Sequence, residues 1–282
     1  MKVLHVETGM HLYGGALQVV YLLRGLHDAG VTNLLACPEG SAIGDAVAPV
    51  AEVHPMAIRG DLDPRFGWQM ARLIRSTRPD LMHVHSRRGA DLWGPLAARL
   101  AGARAIITRR VDNPEPVWLA HFRYGAFERV VTISEGIRQV LLAEGVPAGK
   151  VVCVHSAVDT AAYRPGCDRA WFRREFALAE DETAVAVIAQ LIPRKGHQVL
   201  IDALPEVLAA VPRTRILLFG QGPLREALEA QCQERGVAER VVFAGFRADL
   251  ERILPCLDLV VHPAFMEGLG VSLLQAAACG VA

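Results

Sequence analysis

The run Val260-Val261-His262-Pro263-Ala264-Phe265-Met266-Glu267-Gly268-Leu269-Gly270-Val271-Ser272-Leu273-Leu274-Gln275-Ala276-Ala277-Ala278-Cys279-Gly280 is the most informative stretch of this 282-residue chain. A short apolar strand ends at a Pro turn, and an acid sits in the loop. Two glycines then let the backbone pass close to something, and a helix begins. A helix start presents unpaired N–H groups and a partial positive charge, which suits a phosphate. Open α/β sheets bind ligands past the carboxyl ends of their strands, which is where this loop falls. A Gly-rich strand–helix turn with an incidental acid is the plainer alternative.

Outward from that run, strand-like and helix-like segments alternate along the whole chain. Val3–Val6, Asn33–Ala36, Leu81–Val84, Ala105–Thr108, Arg129–Ile133 and Val151–Val154 read as strands, several of them apolar on both faces. Helical periods fill Leu17–Ala29, Phe66–Thr77, Gly89–Ala101 and Glu135–Glu144. The turn-rich segment from Val158 to Gly166 interrupts the rhythm and marks a domain boundary. The alternation then restarts with strands Ala184–Ile188, Arg215–Phe219, Arg240–Phe243 and Leu259–His262. Helices Gly196–Ala210, Leu224–Arg235, Asp249–Cys256 and Val271–Cys279 separate and follow them. Two doubly wound α/β domains are expected, 1–163 and 164–282. The second is expected to be incomplete, because a four-stranded sheet stopping at Cys279-Gly280-Val281-Ala282 leaves an edge where a fifth strand should begin.

Composition narrows the function. Apolar residues make up 52% and charged residues 21%, a globular mix with room for two cores. Lys plus Arg and Asp plus Glu number 30 each, so net charge gives no argument for nucleic acid. Local basic patches remain at Arg87, Arg88, Arg109 and Arg110. Six scattered cysteines suggest neither a disulfide framework nor a zinc site. The N-terminus opens as a strand without a signal-peptide core, and no apolar stretch is long enough to span a bilayer. A cytoplasmic address is expected, with peripheral membrane contact left open.

Four further segments could carry chemistry. Arg194 and Lys195, in Ile188-Ala189-Gln190-Leu191-Ile192-Pro193-Arg194-Lys195-Gly196-His197, are adjacent cations at a helix start. They oppose the helix dipole unless an anion sits there, and both suit a diphosphate. Gly220-Gln221-Gly222-Pro223 resembles half of a dinucleotide fingerprint, but a lone Gly-x-Gly is mostly a tight turn. Gly14 and Gly15 follow the opening strand, where paired glycines permit close backbone approach or simply a turn. His83 and His85 share one strand face; a metal reading lacks a third ligand, and a hydrogen-bonded core histidine is the better account of His83. Asp61-Leu62-Asp63 matches a D-x-D metal motif, yet Asp63 before Pro64 reads as a helix cap.

The run from Glu267 to Gln275 resembles the E-x7-E signature of retaining glycosyltransferases of family four, and the resemblance extends over the whole chain. It implies the GT-B fold, two Rossmann-like domains facing a cleft, the first serving the acceptor and the second binding a nucleotide sugar. Glu267 then matches the acid that contacts the donor sugar, and Gly268, Leu269, Gly270 and Val271 match the diphosphate cradle. Gln275 stands where the family has a second acid that accepts both ribose hydroxyls; an amide offers one acceptor oxygen. Arg194 and Lys195 inherit the pyrophosphate and leaving-group role. Gly14, Gly15 and Gly220 border the donor, and Phe246 and Arg247 lie where relatives contact the base. His85, Arg109 and Arg110 fall on the acceptor side. The implied reaction transfers a sugar from a nucleoside diphosphate to an acceptor hydroxyl with retained configuration, without metal or cofactor. Its acceptor is a carbohydrate or a lipid-linked cell-envelope precursor. A nucleotide-sugar epimerase or phosphorylase of the same fold, or an inactive donor-binding fragment, are the alternatives.

Overall fold

The computed structural model describes every residue except Arg59, Arg87 and Arg88, so the basic pair at 87 and 88 lies outside the described residues. The chain forms two compact units, Met1–Ala157 and Val158–Ala282. The sequence put the boundary after Tyr163. Tyr163 instead packs with Phe172 and Phe176 in the second unit's core, while both ends of the Gln18 side-chain amide bond the backbone of Ala157 at 2.8 Å.

The first unit runs β1 (Lys2–Val6), α1 (Gly14–Asp28), β2 (Thr32–Pro38), α2 (Ala42–Val47), β3 (Glu52–Met56), α3 (Pro64–Thr77), β4 (Leu81–Val84), α4 (Ala90–Ala101), β5 (Arg104–Arg109), α5 (Val117–Gly125), β6 (Arg129–Thr132), α6 (Glu135–Ala143) and β7 (Val151–Cys153). Its seven strands are all parallel in the order β3-β2-β1-β4-β5-β6-β7. Helices cover both faces, so the strands are apolar on both. Leu34 and Ala36 of β2 join the core beneath α3 and α4, and Leu35 and Cys37 join the core beneath α1 and α2. The sequence reading missed β3 because Glu52-Val53-His54-Pro55-Met56 is polar and carries a proline. The strand tolerates Pro55 because it lies at the sheet edge. Asp63 caps α3 as read: its carboxylate accepts the Arg65 N–H at 3.0 Å, with Pro64 in the first turn.

The second unit runs α7 (Arg169–Glu175), β8 (Thr183–Ile188), α8 (His197–Ala210), β9 (Thr214–Phe219), α9 (Arg225–Glu234), β10 (Val241–Gly245), α10 (Leu250–Ile253), β11 (Leu259–Val260) and α11 (Val271–Ala278). Its four parallel strands are ordered β10-β9-β8-β11. Ala184 and Ala186 of β8 face one core, Val185 and Val187 the other. Beyond α11 the chain returns to β11, where the Val260 N–H donates to the Ala282 carbonyl at 2.8 Å.

One expectation is overturned here. Cys167 and Cys256 form a disulfide with their Cα atoms 4.9 Å apart, tying the segment before α7 to the 3-10 turn Leu254–Cys256. A separation of 89 residues leaves no spacing signature. Only packing brings the two together.

Candidate functional site

Each sheet has one place where strand order reverses, between β1 and β4 in the first unit and between β8 and β11 in the second. Loops leaving two neighbouring strands there diverge and open a crevice, the usual ligand position in such sheets.

In the second unit the loops after β8, β9 and β11 are stitched together by their backbones. Phe265 N–H donates to the Arg194 carbonyl at 3.0 Å, Leu191 N–H to Gln221 at 3.0 Å, and Leu224 N–H to Leu191 at 3.1 Å. The stitching requires glycine. A Cβ on Gly196, whose φ is +70°, would stand 2.0 Å from the Pro263 carbonyl oxygen. One on Gly220, at φ +145°, would stand 2.0 Å from that of Ala189. Gly220 is therefore explained by close backbone packing, whatever it borders.

This framework brings Lys195 and Glu267 together from separate loops, with the Lys195 ammonium on Glu267 Oε2. His262 Nε2 reaches the same oxygen at 3.0 Å, and the Gly268 N–H donates to Oε1 at 3.1 Å. The hydrogen bond from His262, followed by the contribution of Lys195, outweighs burial and holds the Glu267 carboxyl down at about 2. It is ionised at any physiological pH. Beside it, burial and then Lys195 and His262 hold His197 down at about 4. That ring is neutral, and neither nitrogen has a partner among the described residues.

Around this ion pair several groups are unspent. Arg194 is half-buried and its side chain has no partner among the described residues. The amides of Leu269, Gly270, Val271 and Ser272 find no protein acceptor among the described residues. These amides open α11, whose N-terminal cap is Gly270 at φ +33°. Gln275 is buried one turn along, and its side-chain amide makes no hydrogen bond among the described residues. Two cations, a row of free amide donors and a fixed carboxylate can hold a diphosphate and a polyhydroxylated group together.

Arg247 does not join them. Asp249 at 2.7 and 2.8 Å and Glu175 grip its guanidinium, which lies over the Phe176 ring. These bonds raise its pKa further, and the grip makes it a structural clamp. Phe246 beside it is exposed.

In the first unit Gly14 and Gly15 open α1 with no side-chain cap. Arg110 lies against Gly15, its Cδ 3.5 Å from where a Cβ would stand. Burial lowers Arg110 to about 10 despite its countercharge Glu7, and its Nε has no partner among the described residues. Arg109 is different. Its buried guanidinium binds both oxygens of buried Glu144, the Tyr124 hydroxyl and the carbonyls of Val111 and Asn113. Every donor direction is used, so Arg109 pins the loop after β5 and is withdrawn from the acceptor side. His85 is buried at the end of β4, against His5 of β1 at 2.9 Å. His83 bonds the Thr108 hydroxyl at 2.7 Å, the core role read for it. His5 was missed: a single histidine in an apolar strand gives no signal until register sets it opposite His83.

The family model described as Glycosyltransferase Family 4 matches residues 13–162, and that of Glycosyl transferases group 1 matches 168–282. The chain belongs to glycosyltransferase family 4. Among its curated relatives is the GDP-mannose-dependent alpha-(1-6)-phosphatidylinositol monomannoside mannosyltransferase of Mycolicibacterium smegmatis. The two are 32% identical over 244 residues, 78% of this chain and 61% of that one. A D-inositol 3-phosphate glycosyltransferase of Mycobacterium ulcerans is 30% identical over 206 residues, 67% of this chain and 43% of that one. The chain thus spans about two-fifths to three-fifths of the length of these relatives. The solved HepE structure from Anabaena in complex with UDP and glucose superposes with a TM-score of 0.85 at 19% identity, covering 100% of this chain and 79% of that one. A Listeria monocytogenes protein described as a UDP-N-acetylglucosamine 2-epimerase superposes at 0.67 with 14% identity, over 99% of this family 4 chain and 77% of its own. At these identities the likeness is one of fold, and both units have the parallel α/β architecture expected of GT-B proteins.

Proposed function

We propose that this chain carries out retaining glycosyl transfer, moving a sugar from a nucleoside diphosphate to an acceptor hydroxyl. The observation that carries the reading is the meeting of Lys195 with Glu267 beside Arg194 and the amides of residues 269–272, which have no partner among the described residues. In the resting chain Glu267 neutralises Lys195. A donor diphosphate competes for that ammonium and takes Arg194 and the α11 amides as further partners. As the sugar–phosphate bond breaks, negative charge grows on the diphosphate against donors already in place, usually the largest single catalytic term. Glu267, ionised and held by His262, accepts hydrogen bonds from sugar hydroxyls and orients the ring. None of these roles requires a metal.

On the acceptor side the reading keeps His85 and Arg110 and drops Arg109. Relatives named for phosphatidylinositol mannoside and inositol phosphate support a phosphorylated or lipid-linked acceptor of the cell envelope, for which Arg110 supplies a cation. No described helix is long and apolar enough to cross a membrane, so contact with a lipid acceptor is peripheral in this account. A cytoplasmic address belongs to the same reading. The Cys167–Cys256 bond points the other way, because disulfides are rare in reducing compartments. Thiol titration of freshly isolated protein decides: four reactive thiols after unfolding favour an oxidising location, six a reducing one.

The test of the reaction is release of nucleoside diphosphate from UDP-, GDP- and ADP-sugars, with product anomers followed by NMR. The reading expects release with one donor class, retained configuration, and loss of release in Arg194→Ala and Lys195→Ala. Release unchanged in both variants contradicts it, and an isomerised nucleotide sugar without acceptor points to the epimerase.

A further inference from the structure

The switch point of the first unit holds a cluster of three histidines, of which the transfer reading gives a role to His85 alone. His5 of β1 and His83 of β4 are register partners, and alternation puts His85 on the same face two residues on. The rings of His83 and His85 have centroids 3.9 Å apart, and those of His5 and His85 lie stacked at 5.2 Å. One ring nitrogen from each of the three lies within 4.8 Å of the other two. All three side chains are buried. His5 Nδ1 and His85 Nε2 share a single hydrogen bond of 2.9 Å; the Asn33 side chain lies beside His5, and among the described residues His85 Nδ1 is buried without a partner. Buried polar atoms are seldom left so.

We propose that His5, His83 and His85 form a binding site for a divalent first-row cation, with Zn²⁺ the ion that three imidazoles suit best. Imidazole nitrogen is a favoured Zn²⁺ ligand, and three protein ligands leave a fourth position for water. The Thr108 hydroxyl holds His83 Nε2 at 2.7 Å and leaves its other nitrogen for the ion, as outer partners of metal-binding histidines commonly do. Tetrahedral Zn²⁺ with bonds of about 2.0–2.1 Å spaces its nitrogens about 3.3–3.4 Å apart. The 2.9 Å pair therefore opens by roughly half an ångström as the ion takes the place of the shared proton, which moves to the far nitrogen of the same ring. Arg110, the nearby cation, acts against the ion.

The experiment strips the full chain with a chelator, then titrates Zn²⁺ against a competing indicator and Co²⁺ by visible absorption. The proposal expects one ion per chain, intense d–d bands of tetrahedral Co²⁺, and an X-ray absorption spectrum of the Zn²⁺ form with an imidazole shell and no sulfur. His5→Gln and His85→Gln, checked for folding by circular dichroism, weaken Zn²⁺ binding at least tenfold. Wild-type binding no tighter than in folded variants overturns it, as does a sulfur shell from the free cysteines. If the variants fail to fold, stoichiometry and X-ray absorption on the wild-type chain decide alone. Neither result bears on nucleotide binding by the second unit.

Discussion

The switch points of the two units share a topology and differ in chemistry. Between β1 and β4 the side chains at the strand ends are histidines, closed into the core and bonded to one another. Between β8 and β11 the corresponding loops hold Lys195, Arg194 and Glu267, partly exposed, with a row of amides unpaired. The neighbouring arginines repeat the contrast: Arg109 spends every donor inside the first unit, and Arg194 spends none in the second. A doubly wound sheet supplies the crevice. Whether it is filled from within or kept for a ligand depends on which side chains stand at the strand ends.

The widest separation is expected between those two arginines. Arg109→Ala leaves the Glu144 carboxylate buried without its countercharge, held only by the Glu115 N–H, and costs about 3–5 kcal/mol in denaturant unfolding. Arg194→Ala changes stability by less than about 0.5 kcal/mol, as partner-free surface substitutions do. Equal losses in the two would break the contrast. Glycine sharpens it next. Gly196→Ala or Gly220→Ala forces a side chain onto a carbonyl at 2.0 Å and costs roughly 2–4 kcal/mol. Gly14→Ala meets nothing within 4 Å at the start of α1, and thermal melting is expected to show it neutral or stabilising by up to about 1 kcal/mol.

A smaller effect is expected of Gln275→Glu. If the amide stands at the ribose, the restored carboxylate accepts both hydroxyls and tightens nucleoside diphosphate binding about tenfold, or ~1.4 kcal/mol. The smallest effect concerns pH. His197 sits at about 4 when folded against an ordinary 6.5, so the unfolded chain binds its proton first. The stability this neutral ring permits is complete above pH 6.5 and is lost on acidification towards pH 4, at up to ~1.4 kcal/mol per pH unit. Glu267 contributes only lower, as pH falls from 4.5 through about 2. Urea midpoints across pH 4–7 check this, and His197→Asn is expected to flatten the slope.

The fold was legible because β-branched runs and helical periods alternate so regularly that ten of the eleven strands among the described residues could be placed. β3 escaped because an edge strand tolerates the proline and polar residues that disguise it. The donor side was legible too: adjacent cations at a helix start and an acid before two glycines are local patterns, and the loops bring them together. What stayed hidden depends on register or distance. Arg109 and Glu144 are 35 residues apart, Cys167 and Cys256 are 89 apart, and His5 meets His83 only across two strands. Arg247 shows the remaining limit. Its position fits a ligand contact, but Asp249 and Glu175 already hold it.

The central claim is that the loops after β8 and β11 hold a diphosphate. Calorimetric titration of UDP and GDP into the wild-type chain and into the Arg194→Ala/Lys195→Ala double variant tests it most directly. The account predicts saturable one-to-one binding of at least one nucleotide, weakened tenfold or more in a double variant that still folds. Equal affinity in the two proteins, or binding retained when phosphate-free uridine or guanosine replaces the nucleotide, contradicts it.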